Sequence, residues 1–133
     1  MKAKRKNNGS VLLIVVFAVV LLSMLTVGIL QMNAEEIQLM QNQIRAVEAL
    51  ATAEAGLNDA FSRIRVGSDP NISTAAFNGG TYAVTAGASA VSDLLVTSEG
   101  TTSQGFIARV KADITVSTSS PYIVRIDNLR INE

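Results

Sequence analysis

Hydrophobic and polar positions follow three successive patterns along this chain. From Val11 to Leu30 there is no alternation: VLLIVVFAVVLLSMLTVGIL runs for 20 residues without a charge. About 20 apolar residues rising ~1.5 Å each match the ~30 Å hydrocarbon layer of a bilayer, so a membrane-spanning helix is expected there. From Gln31 to Arg65 the pattern becomes helical without a break. No Pro intervenes, and Ala, Leu, Gln, Glu, Met and Arg dominate, all good helix formers. Apolar residues recur at Ile37, Met40, Ile44, Val47, Leu50, Leu57, Phe61 and Ile64, a stripe along one helix face. Glu35, Glu36, Gln41, Gln43, Arg45, Glu48, Asn58, Asp59 and Arg63 are assigned to the other side. The pattern predicts one helix over about residues 11–65, roughly 80 Å long at ~1.5 Å per residue.

After Val66 the period falls to two. Gly, Ser, Thr and Val replace Glu, Gln and Leu, and Gly67-Ser68-Asp69-Pro70-Asn71 reads as a helix stop and turn. Four strands are predicted: Thr81–Ala86 after the turn Asn78-Gly79-Gly80, then Asp93–Ser98, Phe106–Val116 and Tyr122–Ile131. The third alternates most clearly. Phe106, Ala108, Val110, Ala112, Ile114 and Val116 fall on one side, while Ile107, Arg109, Lys111, Asp113 and Thr115 fall on the other, as in a sheet with one packed and one wet face. The fold class expected is α+β: a long N-terminal helix packed by a small antiparallel meander. Residues 66–133 number 68 and hold no cysteine, near the lower edge of what builds an independent core. Leu50, Leu57, Phe61 and Ile64 are therefore expected to supply one wall, making the head dependent on the helix.

Charge fixes the orientation expected of the apolar run. Lys2, Lys4, Arg5 and Lys6 stand directly before it, which holds the N-terminus in the cytoplasm by the positive-inside rule. Three fates are open to such a segment. A cleaved secretory signal has a shorter apolar core and small residues at the cut; Gln31-Met32-Asn33-Ala34-Glu35-Glu36 fits that poorly. A signal anchor would carry an outer-face binding module with no filament role. The third fate is trimming on the cytoplasmic side. Lys4-Arg5-Lys6-Asn7-Asn8-Gly9-Ser10, running straight into the apolar helix, resembles the class III leader of type IV pilins and pseudopilins.

A second stretch carries the same resemblance. Ala46-Val47-Glu48-Ala49-Leu50-Ala51-Thr52-Ala53-Glu54-Ala55-Gly56-Leu57 resembles the small-residue signature ending in AEAGL of PilX-type minor pilins and GspK-type minor pseudopilins. Read from the residues alone, Ala53, Glu54, Ala55, Gly56 and Leu57 mark a helix with small residues where another helix packs closely. The resemblance spans residues 4–65 and is loose in the head. It implies a structural subunit of a type IV pilus, type II secretion or DNA-uptake filament. It further implies cleavage by a prepilin peptidase between Gly9 and Ser10, with Ser10 as the N-methylated mature terminus. Four segments follow: a basic leader 1–9, a membrane and filament-core helix 10–30, its amphipathic continuation 31–66, and a β head 67–133. The implied partners are other pilin or pseudopilin subunits, the prepilin peptidase and an inner-membrane assembly platform. The implied location is the bacterial inner membrane, single-pass with the N-terminus cytoplasmic, and then an extracytoplasmic filament. One departure bears on position within it. Major pilins carry a Glu five residues after the cut; here that place holds Ile14, and no carboxylate occurs from Val11 to Leu30. Subunits lacking this Glu are minor ones in the family, which suggests a tip or initiating role.

Catalytic chemistry finds little support. There is no His and no Cys, hence no imidazole base, no thiolate and no common zinc site. The carboxylates are scattered without EF-hand spacing, so no metal or cofactor is expected, and no enzyme. Gly79-Gly80 lacks the context of a phosphate loop, and Asn71-Ile72-Ser73 is a short acceptor tripeptide best explained as loop. Of 11 basic and 11 acidic residues, residues 1–9 hold four bases, leaving 7 against 11. That acidic balance gives no support to direct nucleic-acid binding. Arg109, Lys111, Arg125 and Arg130 read as solvated strand faces.

Overall fold

A computed structural model of the protein describes residues 8–90 and 92–131. The order of elements is one helix and five strands: α1 (Asn8–Arg65), β1 (Ile72–Phe77), β2 (Gly80–Gly87), β3 (Leu94–Thr101), β4 (Ile107–Val116) and β5 (Val124–Ile131). The class is α+β, with one long N-terminal helix and an antiparallel sheet packed on it. The sheet is a simple meander in the order β1-β2-β3-β4-β5. Two compact units divide the chain, Met1–Gln41 and Asn42–Glu133, so the second half of the helix belongs with the sheet.

In the first unit α1 is uncovered. Every side chain from Val11 to Val27 is exposed. The helix also begins earlier than the apolar pattern predicts, already at Asn8.

In the second unit the helix ends where its sequence says it should. Gly67 adopts φ 72°, a left-handed conformation that glycine tolerates without a Cβ penalty. Its N–H donates to the Ile64 carbonyl at 2.9 Å, and the Ser68 N–H donates to the Arg63 carbonyl at 2.9 Å. This is the Schellman arrangement, which satisfies two carbonyls left over by the last turn.

The core lies between this part of α1 and one face of the sheet. Ala53, Leu57, Ala60 and Ile64 meet Ile72, Val84, Val96, Val110, Ala112 and Ile114 there. The alternation predicted for β4 holds for Ala108, Val110, Ala112 and Ile114, all buried. The head therefore shares its core with the helix, as its small size required.

Two expectations are corrected. A fifth strand, β1, occupies what the sequence presented as loop. Its alternation is hidden because the register slips between Ile72 and Ala75, so its two inward residues lie three apart. Its hairpin with β2 turns at Asn78 (φ 46°) and Gly79 (φ 80°), the pair of positive angles that an Asn-Gly two-residue turn favours. The second correction is Asp113, assigned to the wet face but only 2% exposed. Its Oδ1 accepts from the Ser89 hydroxyl at 2.6 Å and its Oδ2 from Arg130 Nη2 at 2.9 Å. The loop before β3 and strand β5 thus close over it, and Arg130 is an ion-pair partner, not a free solvated charge. The wall expected from the helix is present: Leu57 and Ile64 are buried in the core and Leu50 and Phe61 pack against it, while Ile37, Met40, Ile44 and Val47 of the same stripe are 54–64% exposed.

Candidate functional site: the apolar helix and the small-residue seam

Two features of α1 carry the candidate chemistry. The first is the apolar run. Side chains such as Leu13 and Leu22 stand 71% and 63% exposed within the chain. Burying a residue of this size is worth ~1.5–3 kcal/mol, so more than a dozen of them demand an apolar surrounding. The segment is long and apolar enough to cross a membrane. Its polar atoms are already satisfied: the Ser23 hydroxyl donates to the Val19 carbonyl and the Thr26 hydroxyl to the Leu22 carbonyl, each at 2.8 Å. A hydroxyl bonded back to its own helix brings no unmet donor into hydrocarbon.

Gly9 and Ser10 lie in the first turn of α1 and are exposed. A Cβ added at Gly9 would meet nothing within 4 Å, so nothing inside the chain requires glycine at that position. First-turn N–H groups have no intrahelical acceptor and the turn opens at small cost. Lys2, Lys4, Arg5 and Lys6 lie outside the described residues. Ile14 is 63% exposed and sits among apolar neighbours in the run.

The second feature is the seam at residues 49–60. Ala49, Ala53 and Ala60 are completely buried, and Gly56 is buried with them. They face β3 and β2 of the chain's own sheet. A Cβ at Gly100 would stand 2.5 Å from the Ala49 carbonyl oxygen and 2.9 Å from Ala53 Cα, closer still to Ala53 N. At Gly56 it would stand 2.8 Å from the Tyr82 ring and would overlap Ser98 Oγ. Helix backbone and strand backbone thus touch, because neither carries a side chain at the crossing. The close approach lets the buried Ser98 hydroxyl donate to the Ala53 carbonyl at 2.6 Å. Beside it the Tyr82 hydroxyl donates to Asp59 Oδ2 at 3.0 Å. Burial, and then the Asp59 carboxylate, raise the Tyr82 phenol above its ordinary 10.0. Within AEAGL, Ala53, Gly56 and Leu57 point inward, Ala55 is half-buried and Glu54 is exposed. The small residues do mark a close contact, but its partner is a strand, not another helix. Gly100 lies inside β3, which runs to Thr101, past the predicted strand end at Ser98; a glycine within a strand marks close backbone approach.

Further sites are modest. Asn71 is engaged structurally: its Nδ2 donates to Asp69 Oδ1 at 2.7 Å and its Oδ1 accepts from the Ala86 N–H at 2.9 Å. Arg109 pairs with Glu99, and Arg125 with Asp127. Among the described residues no three of His, Cys, Asp and Glu come together in a way that would hold a metal ion. A cleft of about 430 Å³ at the C-terminal end of α1 is lined by Ile64, Pro70, Leu94, Val116 and Tyr122 and carries no charged group. Comparison with family models, with curated proteins and with solved structures finds no match to this chain.

Proposed function

We propose that the protein is a structural subunit of a type IV pilin-like filament, a minor pilin or minor pseudopilin, and not an enzyme. The observation that carries this reading is the division of labour within one unbroken helix. Residues 11–30 are apolar, uncovered and free of unmet polar side chains, whereas residues 49–64 are sealed into a small sheet. An apolar helix of this kind can exchange lipid for other apolar helices without exposing a polar group, the change of surroundings that filament growth from a membrane requires. In this reading a prepilin peptidase removes residues 1–9, Ser10 becomes the methylated terminus, and an inner-membrane platform lifts the subunit into the filament. The open space around Gly9 supports it, since the demand for glycine then comes from the peptidase cleft. Ile14, where major pilins hold a carboxylate, fits a subunit with no predecessor to register on, at the tip or in initiation.

Mass spectrometry of the protein recovered from membranes of cells possessing the peptidase tests the reading. A mature terminus at Ser10 is expected. An intact Met1 would refute it in favour of a signal-anchored module, and a start beyond Leu30 would refute it in favour of secretion.

A further inference from the structure

The helix covers the apolar face of the sheet unevenly. At one edge Ile72 of β1 is 6% exposed. At the other, Ile126, Leu129 and Ile131 of β5 stand 50%, 51% and 47% exposed, although the β4 residues beside them by register, Ile114, Ala112 and Val110, are buried. With Leu57 and Phe61 of α1 these three line a groove of about 210 Å³. The apolar cover is one strand short on the β5 side.

β5 is also last in the order of the sheet, so among the described residues no strand pairs with its outer edge. Such an edge presents a row of unpaired N–H and C=O groups, which proteins usually guard. The first half of β5 is guarded. Asp127 is the extra residue where the register slips between Asp113 and Ile114, and it pairs with Arg125. A bulge and charges both discourage a further strand. The second half carries neither device. Asn128 to Ile131 oppose Asp113 to Val110 residue by residue, and they include no Pro and no Lys. Their one charge, Arg130, is turned onto the buried Asp113.

Groove and edge therefore run along the same four residues, and together they select the occupant. An apolar groove alone would accept a helix. A row of backbone donors and acceptors beside it is satisfied by another extended strand, whose alternate side chains then fall into the groove.

We propose that β5 accepts, along Asn128–Ile131, an extended segment of a different protein in which apolar residues alternate with polar ones. A second copy does not fit. Joining two β5 edges antiparallel about a two-fold axis runs the two α1 helices in opposite directions, whereas Lys2, Lys4, Arg5 and Lys6 hold both N-termini on one side of one membrane. A single tip or initiating subunit, the reading on which the choice of a different protein rests, also has no second copy to meet. The proposal deepens that reading by naming the kind of partner the subunit carries.

The full chain is tested in membranes of its native host, with the photocrosslinker benzoyl-phenylalanine placed singly at Leu129, at Ile131 and, on the far face, at Ile107, all exposed positions. The adducts are digested and the linked partner residues are read by mass spectrometry. Leu129 and Ile131 are expected to reach one segment of one other protein, at partner residues two apart within an apolar–polar alternation. Ile107 is expected to give about ten-fold less adduct. Leu129→Lys, an inward charge of the kind that guards natural edges, is expected to lower the Ile131 adduct about ten-fold, the scale of one lost aliphatic contact. Its urea midpoint is expected to match the parent's, because the side chain is half exposed. The proposal is overturned by no adduct at Leu129 and Ile131, by an adduct with a second copy of this chain, or by partner residues three or four apart, as a docked helix would give. It is equally overturned by equal adduct at Ile107 or by indifference to Leu129→Lys. A strand-spaced adduct on a chain that retains Met1 would leave the docking standing while the filament reading fell; Ser10 as terminus without an adduct would do the reverse.

Discussion

Replacing Gly100 by Ala should unfold the head far more readily than the loss of one glycine suggests. Gly100 has no left-handed backbone to protect, so the substitution ought to gain ~0.4–1 kcal/mol by restricting the unfolded chain. The seam reverses this. The new methyl would lie 2.5 Å from the Ala49 carbonyl oxygen and 2.9 Å from Ala53 Cα, and backbone atoms cannot swing aside as a side chain can. Overpacking of this kind costs ~1–3 kcal/mol. Separating helix from strand also lengthens the 2.6 Å bond from Ser98 to the Ala53 carbonyl, worth ~0.5–1.5 kcal/mol. The net loss expected is about 2–3 kcal/mol, a large share of the ~5–15 kcal/mol that holds a domain folded. Urea unfolding of the full chain in detergent, followed by tyrosine fluorescence, measures it. Gly87→Ala is the control, because a Cβ there meets nothing within 4 Å and should be neutral or slightly stabilising. Equal stability of Gly100→Ala and the parent, or equal damage from both variants, would refute the claim that backbone contact sets the helix–sheet spacing.

Gly56→Ala should cost about 1–3 kcal/mol despite the gain in helix propensity, because the new methyl meets the root of the Tyr82 ring and the buried Ser98 hydroxyl, both held by hydrogen bonds; the same urea midpoints decide. Asp113→Ala should cost about 2 kcal/mol by removing the buried carboxylate that accepts from both Ser89 and Arg130, with faster hydrogen exchange at Ser89 and Ser92. The Asn71 N–H and amide hold the Asp69 carboxyl below its ordinary 3.8, and the Thr115 hydroxyl and then Arg125 do the same for Asp127. Depressed folded values contribute stability above the ordinary value and lose it as pH falls through the lower folded one. Unfolding midpoints should therefore drop with acid from about pH 4 downward, and less steeply in Asp69→Asn. Leu21→Asp, at the middle of the apolar run, should lower membrane insertion by ~2.5–3.5 kcal/mol in an insertion assay.

The sequence revealed the long-range outline because two periods are strong and well separated. An unbroken helical pattern cannot be laid out as strands, and the alternation from Ala108 to Ile114 cannot be wound into a helix. Boundaries came within a few residues where glycines mark them, as at Gly67. What stayed hidden depended on contacts between distant positions. β1 was masked by an irregular register and two adjacent alanines. Asp113 looked solvated because nothing local announces that Ser89 and Arg130 will converge on it. The small residues of the seam were visible, but the strand that meets them, through Gly100 and Ser98, was not. The apolar stripe supplied the expected wall at Leu50, Leu57, Phe61 and Ile64, but the rest of the buried face centres on alanines and a glycine too small to raise a hydrophobic signal.

The seam carries a consequence for anyone probing this protein by substitution. The side of the helix with the least bulk is already spoken for by the chain's own sheet, so a visitor approaching residues 49–60 from outside meets Ala51, Glu54 and Asn58 instead. Variants aimed at the alanines and the glycine will report first on whether the head folds, and only the outward trio can report on who its neighbours are.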